Sequence, residues 1–389
     1  MIQTILRLQR HCIQPHARKF NQGMTLIELM VSIAIGLVLV LSMLVLYVNI
    51  ARNQSQLSNS GRQVENGKFA LQLLQEDLRH AGFWGDYLPR YDDKGQATPA
   101  DVPSALPNPC LSYSATNWNT DYILNLMGIA VQGYNAVPTD CNSLLTNKAN
   151  NTDILLVRYV ENCTAGQANC DAETAGRLYF QSSRCSSEIA SGNRFILNTT
   201  GLTLKANIFC PAESPATDTI AAKRRFVSNI YYVRNHSVTA GDGIPTLMRS
   251  SFNLSTTLAF QSSQPLIEGI QGFRIEYGID NKVLNDSGVE VDVNYDIAVG
   301  AIIRGDGVPD TYITCPKSDG TACGVNDMFN VVSARIHVLA RNLEPTPGHN
   351  DTKKYVLAGV EYGPFNDAFI RRVYNTTVRL MNPAGRREP

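Results

Sequence analysis

Two sets of residues in this chain have types and spacings that point to chemistry. Eight cysteines lie at positions 110, 141, 163, 170, 185, 210, 315 and 323, with a ninth, Cys12, far upstream. An even set confined to the later part of the chain predicts an oxidising compartment and as many as four disulfides. Sequence leaves their connectivity open. Short loops favour Cys163–Cys170 and Cys315–Cys323, and Cys110–Cys141 with Cys185–Cys210 would complete a sequential set. Structural zinc fits less well, because the Cys163/Cys170 and Cys315/Cys323 spacings lack the short Cys-x2-4-Cys knuckle and no histidine lies close by in sequence.

The second feature is a single carboxylate, Glu28, at the head of an apolar run. Leu29 to Val48 carries no charge, and at about 1.5 Å per helical residue it covers roughly 30 Å, the hydrocarbon thickness of a bilayer. An unpaired carboxylate costs about 2.5–3.5 kcal/mol at mid-membrane and less near the interface, so a charge kept there needs a partner. Five residues upstream, Gly23 closes a leader that holds Arg7, Arg10, Arg18 and Lys19 and no acid. The leader also lacks the apolar core of a secretory signal, so it is expected to stay cytoplasmic while the chain after Val48 is exported.

The remaining candidates are weaker. Around Arg304-Gly-Asp-Gly-Val-Pro-Asp310, Asp306 and Asp310 fill the fifth and ninth positions of a calcium loop, but Ile302 and Arg304 stand where its first carboxylates belong. A Pro/Gly turn is the better reading, and no metal or cofactor is expected. Gly61 to Lys68 has five residues between its glycines where a phosphate loop has four, and it lacks the following Ser/Thr. The histidines are scattered, and neither His-Glu-x-x-His nor Gly-x-Ser-x-Gly occurs, so no catalytic constellation is visible and an enzyme is not expected. Basic and acidic residues number 34 each; removing the four leader bases leaves 30 against 34, which does not predict direct nucleic-acid binding.

The elements that must hold these residues follow from periodicity. After Val48 the chain becomes polar while Leu57, Val64, Leu71, Leu74 and Leu78 keep a helical rhythm, predicting one helix from Met24 to about His80 with an apolar face on a globular head. Gly61 and Gly67 each weaken it by about 1 kcal/mol relative to alanine. Gly82-Phe-Trp-Gly85 reads as a hydrophobic stop where the helix meets a sheet, and residues 86–150 read as loop. Strands are expected at 154–160, 177–180, 226–233, 270–277, 331–341, 355–362 and 371–382, with Phe273, Ile275 and Tyr277 forming the buried face of a half-buried strand. The fold class is therefore α+β, a long amino-terminal helix and an antiparallel β-sheet head with disulfides. Its divisions are residues 1–23 (leader), 24–48 (transmembrane), 49–85 (stem) and 86–389 (head).

Gly23-Met-Thr-Leu-Ile-Glu28-Leu-Met-Val31 resembles the processing site of type IV prepilins and pseudopilins. The resemblance implies a pilin-like fold, cleavage after Gly23 by a prepilin peptidase, and N-methylation of Met24, which departs from the family's usual Phe. It further implies that Glu28 pairs with the free amino terminus of a neighbouring subunit. Leu74 to Gly85 and the closing strands resemble the PilW family of minor pilins and, more distantly, J-type pseudopilins of type II secretion; residues 86–265 carry little of this. The implied function is priming of, and incorporation into, the type IV pilus, at its tip, in support of motility, adhesion or DNA uptake; the alternatives are a J-like pseudopilin of a type II secretion system, or a head that directly binds DNA or a host surface. The implied partners are other minor pilins, the major pilin, a tip adhesin, the prepilin peptidase and the inner-membrane assembly platform. The protein would sit in the inner membrane with a periplasmic head, and then in the pilus.

Overall fold

A computed structural model describes residues 23–93, 95, 97–210 and 219–388. The chain divides into two compact units, 1–57 and 58–389. Helix α1 (Leu26–His80) runs through the boundary. In the first unit it is long and apolar enough to cross a membrane, and none of its most apolar stretch is buried. Two hydroxyls inside that stretch are satisfied by their own helix, Ser32 Oγ donating to the Glu28 carbonyl (2.6 Å) and Ser42 Oγ to that of Val38 (2.7 Å). Neither serine is thus left needing water, and the remaining polar side chain of the stretch, Tyr47, lies one residue from its end.

The second unit opens with the rest of α1. Helix α2 (Thr120–Gly128) precedes an antiparallel sheet of β1 (Val131–Tyr134), β2 (Ile154–Val160), β3 (Tyr179–Ser182), β4 (Phe195–Asn198), β5 (Arg224–Arg234), β6 (Thr246–Leu254), β7 (Leu258–Phe260) and β8 (Gln264–Glu268). Its order is β1-β2-β5-β3-β4, with β6 on β5 and carrying both β7 and β8. The short helix α3 (Ser186–Ala190) joins β3 to β4. A second antiparallel sheet, ordered β12-β9-β13-β16, is built from β9 (Ile270–Ile279), β12 (Thr311–Ile313), β13 (Val331–Arg341) and β16 (Arg371–Arg379). Between β9 and β12 lies a ribbon, β10 (Lys282–Leu284) with β11 (Glu290–Asp292). A hairpin of β14 (Tyr355–Leu357) and β15 (Val360–Tyr362) turns at Ala358 and Gly359, both with positive φ, the geometry a two-residue hairpin loop requires. Helices α4 (Val325–Phe329) and α5 (Met381–Arg387) flank the closing strands.

One apolar cluster joins the end of α1 to both sheets: Ala70, Leu74 and Leu78 pack with Leu155, Val157, Tyr231 and Val233 of the first sheet and Phe273, Ile275, Ile336 and Val338 of the second. Fully burying a leucine contributes about 1.5–3 kcal/mol, so these positions anchor the helix.

Three expectations change. Residues 86–150 hold α2 and edge strand β1, elements of nine and four residues, too short to leave a clear period amid Pro and Asn. The stretch 355–362 is a hairpin, and 371–382 is strand to Arg379 followed by α5. Strand β9 is covered on both faces, because the hairpin residues Leu357 and Tyr362 pack behind Gly272, and Arg274 on that same face is buried with Asp153.

Candidate functional site: the processing segment and the helix seam

Gly23 and Met24 lie ahead of the first helical turn, exposed, with nothing within 4 Å of where a Gly23 Cβ would stand. The segment is therefore uncovered and outside regular structure. The carboxylate of Glu28 turns back on the helix start: Oε2 accepts from the Thr25 N–H (2.9 Å) and from Thr25 Oγ1 (3.0 Å), while Thr25 Oγ1 accepts from the Glu28 N–H (3.4 Å). This is a capping box, in which Thr25 and Glu28 satisfy amides the helix cannot. The Thr-x-x-Glu spacing was its sequence signal, and the apolar surroundings drew attention away from it. Residues 1–22, with the basic leader and Cys12, lie outside the described residues.

The other end of the helix carries the seam to the head. Gln63, Gly67, Ala70, Leu74 and Leu78 are its buried residues. Leu74 and Leu78 match the expected stripe, but Leu57 is exposed and Val64 only partly covered. The reason is close approach: a Cβ on Gly67 would lie 2.4 Å from the Tyr374 ring, so the helix touches β16 through a glycine. One turn earlier, Gln63 Nε2 donates to the carbonyls of Ala340 (3.0 Å) and Ile370 (2.6 Å). About three turns beyond Gly67, Asp77 receives Tyr159 Oη at 2.7 Å on one oxygen, and Asn229 Nδ2 at 2.7 Å with Tyr231 Oη at 2.6 Å on the other. Burial, with Asp77 second, pushes both tyrosine pKa values up, so they stay protonated donors. Trp84, beyond the helix end, is buried, donates to the Met127 carbonyl (3.2 Å) and stacks on Phe226, as a hydrophobic stop should.

The eight head cysteines form Cys110–Cys141, Cys163–Cys170, Cys185–Cys210 and Cys315–Cys323, with Cα separations of 5.4, 5.7, 5.5 and 5.5 Å. Among the described residues one trio of possible metal ligands comes together, Glu161 with Cys163 and Cys170, and its two sulfurs are bonded to each other. Asp306 and Asp310 serve the backbone instead: Asp310 Oδ2 accepts from the N–H groups of Asn281 and Lys282 (both 2.8 Å), and Asp306 Oδ1 from that of Val308 (2.9 Å). Their loop wraps an internal carboxylate. The N–H of Gly307 donates to Asp280 at 2.9 Å, and a Cβ on Gly305 would collide with that carboxyl group, so the glycines make an anion cradle where a calcium loop would gather oxygens.

With this geometry in place, the likenesses to known proteins can be read. Residues 18–44 match the model of the prokaryotic N-terminal methylation motif, spanning Gly23, Met24 and Glu28. Residues 230–382 match the model of the type IV pilus-assembly protein W family. The chain is a type IV pilin-like protein with a PilW domain and a prepilin methylation motif. The PilW match spans the end of β5 to the start of α5, so the likeness reaches further back into the head than the closing strands alone implied. It includes Gln63's acceptors and Tyr374, the sheet side of the seam. A solved structure, a type IV-like pilin from Thermus thermophilus, is 10% identical over 60% of this chain and 80% of its own, with a TM-score of 0.25, too low to add to the argument. No curated protein matches. Pilins are structural subunits, and this one is anchored in the membrane by the first part of α1.

Proposed function

We propose that the chain is a minor pilin, cleaved after Gly23 and methylated on Met24, that primes assembly of the type IV pilus and enters the fibre, at its tip. The observation that carries this reading is the exposed Gly23-Met24 pair immediately ahead of a helix whose apolar surface, from Leu26 to Ile50, is left exposed by the described residues. Such a surface requires lipid before assembly and neighbouring helices afterwards. Glu28 fits both states. In the single chain it caps its own helix; beside another subunit it can exchange that bond for a pair with a free amino terminus, which offsets the desolvation of both charges. The partners are accordingly other minor pilins, the major pilin, a tip adhesin, the prepilin peptidase and the assembly platform.

The intact mass of the mature protein, with Glu28→Ala in parallel, tests the reading. Loss of residues 1–23 plus one methyl group is expected in both, with Glu28→Ala failing to support pili. A retained leader in cells with a working peptidase, or normal piliation by the variant, would overturn it.

A further inference from the structure

Residues 281–310 leave large aliphatic side chains in water. Leu284, Val289, Ile297, Val299 and Val308 are 68, 57, 63, 78 and 56% exposed. They are not on a loose loop. Asn294 Nδ2 holds the carbonyls of Asp296 (3.0 Å) and Ala301 (2.8 Å), its backbone pairs with Ile303, and Asp296 Oδ1 accepts from the Ala298 N–H (2.9 Å). Apolar groups presented rigidly to solvent mark a surface that something else covers.

Ile297 and Val299 also line a cavity of about 860 Å³, together with Pro99, Val102, Phe329 and the carboxylate-bearing Asp292. The charge around it is one-sided. Residues 281–310 contain six acids and two bases. Lys282 is committed to Glu290 (2.8 Å), and Arg304 reaches the carbonyls of Tyr91 and Asp93 (3.2 Å each). Asp292 and Asp296, both exposed, make no ion pair with a described residue. The buried Oδ1 of Asn281, a residue that also borders the cavity, meets no hydrogen-bond donor among the described residues. Carboxylates without a cationic partner, set among aliphatic side chains, fit a cationic side chain flanked by apolar ones; they repel lipid phosphates and nucleic acids.

We propose that this acid-rimmed apolar cavity is the docking site for a neighbouring pilin-like subunit, which presents a lysine or arginine between aliphatic residues. The inference rests on the minor-pilin reading for the nature of the partner, and on the cavity alone for its chemistry.

The test is made in cells carrying the full-length protein with a benzophenone side chain at Val299, and a control at Val238, which is 88% exposed and outside this region. The Val299 adduct is expected to map to another pilin-like subunit, on a peptide with a basic residue among aliphatic ones. Asp292→Lys with Asp296→Asn, the latter keeping the oxygen that caps Ala298, should reduce that adduct about tenfold, with protein level and the control unchanged. No adduct at Val299, an adduct with lipid or nucleic acid, a peptide lacking a base, or a yield unmoved by the charge change would each overturn the proposal. Piliation of cells lacking the chain separates the two readings: normal pili with the expected adduct remove the pilus-assembly role and leave the surface standing, whereas lost pili with no adduct remove the surface alone.

Discussion

Lys148 shows how much a single side chain costs in this head. Its ammonium donates to the Ala149 carbonyl at 3.2 Å and is largely withdrawn from water; burial brings its pKa down to about 8, against the opposing pull of Asp153. Asp153 itself bonds Arg274 at 2.7 Å and the Ile275 N–H at 2.8 Å, yet burial outweighs both and pushes its carboxyl up to about 6. Burial disfavours the charged form of each group, so it lowers the lysine and raises the carboxylate. With the lysine pKa lower in the folded state, the fold is penalised in full below pH 8, and the penalty fades as pH rises from 8 toward the unfolded value near 10.5. Lys148→Met is therefore expected to raise stability at pH 7 by about 1 kcal/mol, after allowance for the solvent that still reaches the group. The gain should shrink at pH 9.5 in urea unfolding of the detergent-solubilised protein; a gain constant with pH would assign the effect to packing. No sequence pattern signals this group, because Lys148 stands in an Asn-rich stretch that reads as solvated loop.

At the scale of elements, two glycines in one helix have opposite meanings. Gly61 has nothing within 4 Å of its missing Cβ, whereas Gly67 is pressed against Tyr374. Gly61→Ala should stabilise the protein by up to about 1 kcal/mol through helix propensity alone. Gly67→Ala gains the same propensity but must move the ring or open the seam, and overpacking of this kind costs about 1–3 kcal/mol. Melting temperatures that rise for the first and fall for the second are expected; a rise in both would mean the seam yields freely. Sequence periodicity located the helix and its last turns, since Leu74 and Leu78 are large and apolar, but it passed over Gln63, Gly67 and Ala70, whose value lies in smallness and in a hydrogen bond to carbonyls distant in the chain. The same limit applies to the sheets. Strands 154–160 and 331–341 announce themselves by β-branched runs, whereas β1 is read as loop because four residues cannot show a period and its pairing with β2 is tertiary. The methylation-motif segment was legible as a motif, because its parts are contiguous and a glycine, a carboxylate and an apolar run need no partner to be recognised. The acid-rimmed cavity was not, since Pro99, Phe329 and Asp292 meet only on folding.

At the scale of the second unit, the two ends of the head meet at the C-terminal helix. Asn382 Nδ2 donates to the carbonyls of Arg79, His80 and Ala81 (3.3, 3.3 and 3.1 Å), so α5 caps the end of α1. Arg386 binds Asp92 at 2.8 Å. Arg387 is buried, with Nη1 3.4 Å from Asp280 and 3.0 Å from Asn330 Oδ1, Nη2 donating to the Phe329 carbonyl (3.1 Å), and its guanidinium 5.1 Å from the Phe329 ring centre. Burial alone would lower its pKa; Tyr295, Asp92 and Asp280 outweigh that and hold it above the usual value, so it remains a cation. Asp280 is in turn pushed up by burial, with Arg387 opposing. Removing one partner of such a cluster strands the other charge, which costs about 3–5 kcal/mol, whereas neutralising both is far milder. Arg387→Ala should accordingly lower stability by about that amount in urea unfolding and open the 381–388 segment to limited proteolysis, while Arg387→Met with Asp280→Asn should recover most of the loss. Equal destabilisation by the single and double variants would show that packing of the arginine stem against Phe329 and Tyr295, and not the burial of unpaired charge, is what closes the head.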